Sequence, residues 1–269
     1  MPRARLSPAA GLGQQDAVGR AASDGASHDH AIDAALARAL RGESAPWPLD
    51  ARGNREIALV LSRIGYHAIA GLLAAHAEAL ADWPDALRHG LRRLALAGAM
   101  WEARHRSLVA PLIEALAAAG VTALLLKGTA LAHDVYTHPA ERIRADTDLL
   151  VTPADLPRAR AVLRASGFVP DPLDSAMPEA LRRQEAWEHT CADGTAHEID
   201  LHAHLFNAPA LAHALPHADL LAHAVSLARL SPSARTLDRA AMLLHLAMHR
   251  AVHRVSPYFF AGQGHRGDD

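Results

Sequence analysis

The sequence predicts an α+β protein in which a small mixed β-sheet core is flanked by N- and C-terminal helical regions. Three observations carry that prediction. Apolar residues recur at spacings of three and four from Ala31 to about Gly120, the period of amphipathic helices. After Gly120 the pattern changes to short runs, VTALLLKG and DTDLLV, that suit buried strands. Further on, WEHTCADGTAHEIDLHAHL has the form of a hairpin with Asp193-Gly194 as a two-residue turn.

In chain order, residues 1–29 are rich in Gly, Ser, Ala and Gln without an apolar period, and read as a disordered leader. Residues 30–120 form the N-terminal helical region. There IALVLSRIGYHAIAGLLAAHAEAL and LRRLALAGAMWEARHRSLVAPLIEALAAAG are separated by Trp83-Pro84. Residues 121–206 form the core. It opens with the strand ending at Lys127, followed by a short helix over GTALAHDVYT, a loop and the strand DTDLLV. Thr152-Pro153-Ala154-Asp155 then starts a helix, with Thr as N-cap, Pro at N1 and an acid in the first turn. That helix stops at Gly167. Residues 207–256 return to helical patterning, and 257–269 form an irregular tail.

The composition excludes several classes. A chain of 269 residues with 50% hydrophobic and 21% charged residues lies in the ordinary globular range. A net charge of −2 argues against nucleic-acid binding by bulk electrostatics. One cysteine, Cys191, rules out an internal disulfide and any multi-cysteine metal centre. Neither a signal peptide nor an apolar run of about 18 residues is present, so no membrane association and a cytoplasmic location are expected. Alanine is abundant, and 26 of the 27 basic residues are Arg, a bias typical of GC-rich bacterial coding sequence. Lys127 is the sole lysine.

The chemistry concentrates in the core. Asp146 and Asp148 stand at i and i+2 of a strand, so both side chains leave the same face, about 7 Å apart at Cα. Two carboxylates so held repel each other unless a cation sits between them, and hard oxygen donors suit Mg²⁺ shared with phosphates. Asp200 lies within HEIDLHAHL, where burying an unpaired acid is costly. If that strand neighbours DTDLLV, three acids converge, with Glu198 and His202 on the face of Asp200. Upstream, Lys127-Gly128-Thr129 ends a strand and opens a helix. Such a turn offers close backbone approach, free N–H groups and a hydroxyl to an anion.

Taken together, LLLKGTALAHDVYTHPAERIRADTDLLVTPADLPRARAVLRASGF and the later HEIDLHAHL resemble the uncharacterised nucleotidyltransferase family of the polymerase-β-like superfamily, over roughly residues 90–255. The resemblance implies a nucleotidyltransferase core in which Asp146, Asp148 and Asp200 hold Mg²⁺, or Mn²⁺ in its place, and carry catalysis. It implies that Gly128 and Thr129 form the phosphate turn. Lys127, Arg142 and Asp200-Leu201-His202 also match family positions. The nucleotide-binding set expected is therefore Lys127, Gly128, Thr129, Arg142, Arg144 and His202. The expected reaction moves an NMP from an NTP, ATP foremost, to an unidentified small-molecule, peptide or protein acceptor. The alternative is a weakly active nucleotide-binding or protein-interaction module of the same fold, including an antitoxin-like role in modifying a partner.

Two departures stand out. Ala203 replaces a Trp common after the Asp-x-His motif, and the chain ends where relatives continue with further helices, leading to the expectation of a truncated helical lid. His245, His249 and His253 share one helical stripe. Without an HExxH general base they read as packing rather than as a zinc site.

Overall fold

The computed structural model describes residues 27–173, 184–206, 211 and 215–254. The leader as far as residue 26 and the tail 257–269 lie outside the described residues. Residues 27–29, assigned to the leader, are instead helical, because the helix α1 occupies residues 27–40. No helix among the described residues is long and apolar enough to cross a membrane.

The chain divides into two compact units, Met1–Ala97 and Gly98–Asp269. The first packs α1 with α2 (Asn54–His67), α3 (Ala70–Ala75) and the start of α4 (Asp85–Ala118). The apolar stretch expected to run unbroken from Ile57 to Leu80 breaks at Ala68, whose φ of +55° caps α2 in the left-handed region. Two tryptophans organise this unit. Trp47 and Trp83 meet edge to face at 5.5 Å, and Trp83 Nε1 donates to Ala45 O at 2.7 Å. Arg63 grips Asp33 with both ends of its guanidinium, at 2.7 and 2.5 Å.

The second unit holds a seven-stranded mixed sheet in the order β3-β4-β5-β2-β1-β7-β6. Its strands are β1 (Leu124–Leu125), β2 (Asp146–Leu150), β3 (Val169–Pro170), β4 (Gln184–Thr190), β5 (Ala196–His202), β6 (Val225–Ser226) and β7 (Arg235–Thr236). Helices α5 (Lys127–Asp134), α6 (Leu156–Ala165), α7 (His217–Ala222) and α8 (Arg239–Arg254) complete it. The apolar run of β1 is buried throughout, as a strand covered on both faces must be. Val109, Leu112, Ile113 and Leu116 of α4 join Leu149, Trp187, Ile199 and Leu201 in its core, each Leu worth about 1.5–3 kcal/mol when fully buried.

Two expectations change here. The C-terminal region is not wholly helical: β6 and β7 extend the sheet, β7 running parallel to β1. Strands of two residues are too short to show an alternating pattern. The hairpin β4–β5 is as expected, but its loop has three residues rather than two. Cys191 N donates to Thr195 O at 2.8 Å and Gly194 N to Cys191 O at 2.9 Å, leaving Gly194 at φ +83°. This is a type I turn closed by a glycine bulge.

Candidate active site

The strand β2 runs parallel to β5 in a register that sets Asp146 opposite Glu198, Asp148 opposite Asp200 and Leu150 opposite His202. Because successive strand side chains alternate, Asp148, Asp200 and His202 share one face of the sheet. Asp148 and His202 are almost fully buried, and Asp200 is 9% exposed. One donor atom from each of these three lies within 4.8 Å of the other two. Asp146, expected as a ligand, lies outside that group at the start of β2. His202, expected at the nucleotide, stands in it.

Lys127 reaches the same point from the opposite side. Its Nζ donates to Asp148 Oδ1 at 2.6 Å, and His202 Nε2 lies 3.0 Å from that oxygen. The Lys127 backbone is itself unusual. As the first residue of α5 it has φ +44°, a region that non-glycine residues rarely occupy and that clusters at functional sites. Burial pushes the Asp148 carboxyl up, but the hydrogen bond from His202 and the charge of Lys127 outweigh it and hold the group down at about 2. Asp200 goes the other way, raised to about 6 by burial together with the charges of Asp148, Asp146 and Glu198. Asp146 is also raised, by burial and by Asp148.

These residues fit a divalent cation. Oδ1 of Asp200 and Nδ1 of His202 are buried without a hydrogen-bond partner among the described residues. Buried polar atoms left so are costly and call for an explanation. Gln184 Nε2, 3.4 Å from Asp200 Oδ2, covers the other carboxylate oxygen. Carboxylate and imidazole donors clustered at one point are what a metal ion satisfies.

The opposite face of β2 carries a polar network whose members Glu102, His105 and His133 no sequence pattern singled out. Thr147 Oγ1 lies 2.6 Å from His105 Nε2 and 2.6 Å from Thr129 Oγ1. Arg144 Nε donates to Thr129 Oγ1 at 2.8 Å, and Arg144 pairs with Glu102 at 2.7 Å. Glu102 also pairs with His133 at 3.2 Å. Trp101 stacks on His105 at 4.4 Å and lies under the Arg144 guanidinium at 5.5 Å. Burial lowers the His105 imidazole to about 2, so it stays neutral in this network.

This network relocates two residues expected at the nucleotide. The Thr129 hydroxyl, expected to face a phosphate, is fully buried and committed to Thr147 and Arg144. Arg144, with a side chain 3% exposed, is committed to Glu102. Gly128 has a packing reason to be glycine, since a Cβ there would come within 3.2 Å of Arg144 Cδ. Arg142 donates to Ile143 O at 2.6 Å. His245, read as packing, is buried on α8 and stacks against Phe206 at 5.4 Å. Its charge is lowered by burial and by Lys127, which draws α8 into the electrostatics of the site.

A sequence model of the family described as uncharacterised nucleotidyltransferase matches residues 54–260. No curated protein and no solved structure matches the chain.

Proposed function

The chain belongs to the uncharacterised nucleotidyltransferase family, and from that premise we propose that it transfers an NMP from an NTP, with ATP the expected donor, to an acceptor hydroxyl. The observation that carries this reading is the facing pair Asp148 and Asp200, joined by His202 and capped by Lys127. Asp148, Asp200 and His202 would hold a divalent ion, with Asp146 adding negative charge nearby. When bound, such an ion would supply positive charge to offset the charge that builds on the phosphates in the transition state.

The chain's own residues supply the rest. Lys127, a flexible ammonium at the mouth of α5, suits the β- and γ-phosphates. The helix N-terminus that opens at Lys127 adds the positive end of its dipole for the phosphates. Arg142 stands on the approach to β2 with a charge for the triphosphate, whereas Arg144 serves by holding the turn in place. Asp200, set opposite Asp148 at the heart of the site, takes the proton of the acceptor hydroxyl. The acceptor oxygen bonds to the α-phosphorus as the bond to the bridging oxygen breaks, and pyrophosphate leaves.

Calorimetric titration of ATP with Mg²⁺ or Mn²⁺ tests the site, comparing wild type with Asp148→Asn/Asp200→Asn. Equal metal-dependent binding by both proteins would reject it. Incubation with α-labelled ATP and a panel of hydroxyl-bearing small molecules, peptides and proteins tests the reaction. Binding without label transfer would favour the binding-module alternative.

A further inference from the structure

We infer that the cation site prefers an ion that accepts imidazole nitrogen, Mn²⁺ above Mg²⁺, because His202 is one of its three protein ligands. The inference rests on the reading of this site as one that takes a divalent ion, and extends it to which ion and through which atoms.

Three features point to His202 rather than Asp146 as the third donor. The close-set group consists of Asp148, Asp200 and His202, all within 4.8 Å at their donor atoms. Two residues to either side of the facing pair, parallel pairing sets Asp146 opposite a further acid, Glu198, whereas His202 stands opposite the apolar Leu150. His202 is 97% buried, and its Nδ1 has no hydrogen-bond partner among the described residues. Its Nε2 points at Asp148 Oδ1. A proton shared along that bond leaves Nδ1 with its lone pair, and a buried lone pair without a donor is what a cation relieves. The orphaned Asp200 Oδ1 calls for the same partner.

Donor chemistry then decides between ions. Mg²⁺ demands oxygen in near-octahedral array and usually keeps several waters. First-row transition ions accept imidazole, and three protein ligands leave them open positions for substrate oxygens. Mn²⁺ combines tolerance of carboxylate oxygen with acceptance of nitrogen. A site of two carboxylates and one imidazole therefore discriminates where a site of three carboxylates would not.

The test uses metal alone on the full chain, without nucleotide, so it stands apart from any failure of NTP binding or transfer. Mn²⁺ and Mg²⁺ affinities are measured by calorimetry, and Mn²⁺-loaded protein by pulsed electron paramagnetic resonance for nitrogen hyperfine coupling. Wild type is expected to bind Mn²⁺ at least tenfold more tightly than Mg²⁺ and to show imidazole nitrogen coupling. The coupling should vanish in His202→Asn. His202→Asp, which restores an oxygen donor, should bring the two affinities within a few-fold of each other. Absence of nitrogen coupling in wild type, its persistence in His202→Asn, or an unchanged affinity ratio in His202→Asp would overturn the inference. The wild-type spectrum decides even if both variants fail to fold.

Discussion

Lys127 Nζ lies 2.6 Å from Asp148 Oδ1, so the one lysine of the chain neutralises the most buried acid of the candidate site. Its ammonium is reached from a backbone at φ +44°. Two separable costs follow from replacing it. Lys127→Ala loses the charge and keeps a Cβ in the left-handed region. Lys127→Gly loses the same charge but removes the Cβ, relieving roughly 1–2 kcal/mol. In denaturant unfolding, Lys127→Gly should therefore be the more stable of the two by about that amount. Both should lose metal-dependent ATP binding. Equal stability would mean the left-handed backbone carries no strain.

Lys127→Arg tests geometry in place of charge. A planar guanidinium is rigid and wide where the ammonium is compact. The variant should fold, yet use ATP at least tenfold less well in single-turnover label transfer. Undiminished turnover in a stable variant would reduce the retention of lysine to chance.

Asp200 makes stability depend on pH. Its folded pKa of about 6 lies above the ordinary carboxylate value of 3.8. Between those values the folded chain binds the extra proton, so stability falls as pH rises through this window. In metal-free buffer, Asp200→Asn should thus be more stable than wild type at pH 7.5. That advantage should shrink as pH drops from 6 to 4. Urea unfolding at pH 4.5, 6 and 7.5 measures it, and a pH-independent difference between the two proteins would contradict the raised pKa.

The Thr129 hydroxyl belongs to the interior. Thr129→Val leaves Arg144 Nε and Thr147 Oγ1 each short of a buried partner, at a cost of about 1–3 kcal/mol. Thr129→Ser keeps the hydroxyl and should lose much less. ATP affinity, measured on the folded fraction, should be the same in Thr129→Val as in wild type. A large loss of affinity without loss of stability would return the hydroxyl to the phosphate.

Much of this arrangement was legible in the sequence, and the rest had physical reasons to be hidden. Alternation in DTDLLV put Asp146 and Asp148 on one face, and the apolar neighbours of Asp200 marked it as an acid needing a partner. The parallel register that sets Asp200 against Asp148 is a long-range fact, and a one-residue slip would have inverted the faces. Glu102, His105 and His133 were invisible for a different reason. They sit in alanine-rich helices that read as packing: Glu102 meets Arg144 and His105 meets Thr147, each 42 residues away in sequence, and His133 meets Glu102, 31 residues away. Ala68 carries no signal for a left-handed cap, since glycine is the usual residue there.

The Glu102–Arg144 pair yields the sharpest stability test, because both side chains are buried, at 9% and 3% exposure. Burial pushes the Glu102 carboxyl up, but His133 and Arg144 overcome it and hold it low, so it is charged in the fold. Removing one partner of such a pair strands the other, at about 3–5 kcal/mol. Arg144→Met and Glu102→Gln should each destabilise on that scale. The double variant strands neither charge, so its cost should fall short of the sum, by on the order of 2 kcal/mol. Guanidinium unfolding of the four proteins closes the cycle. Additive costs would show that Arg144 is held by Thr129 and Trp101 alone, and that Glu102 has no part in fixing the turn that carries Lys127.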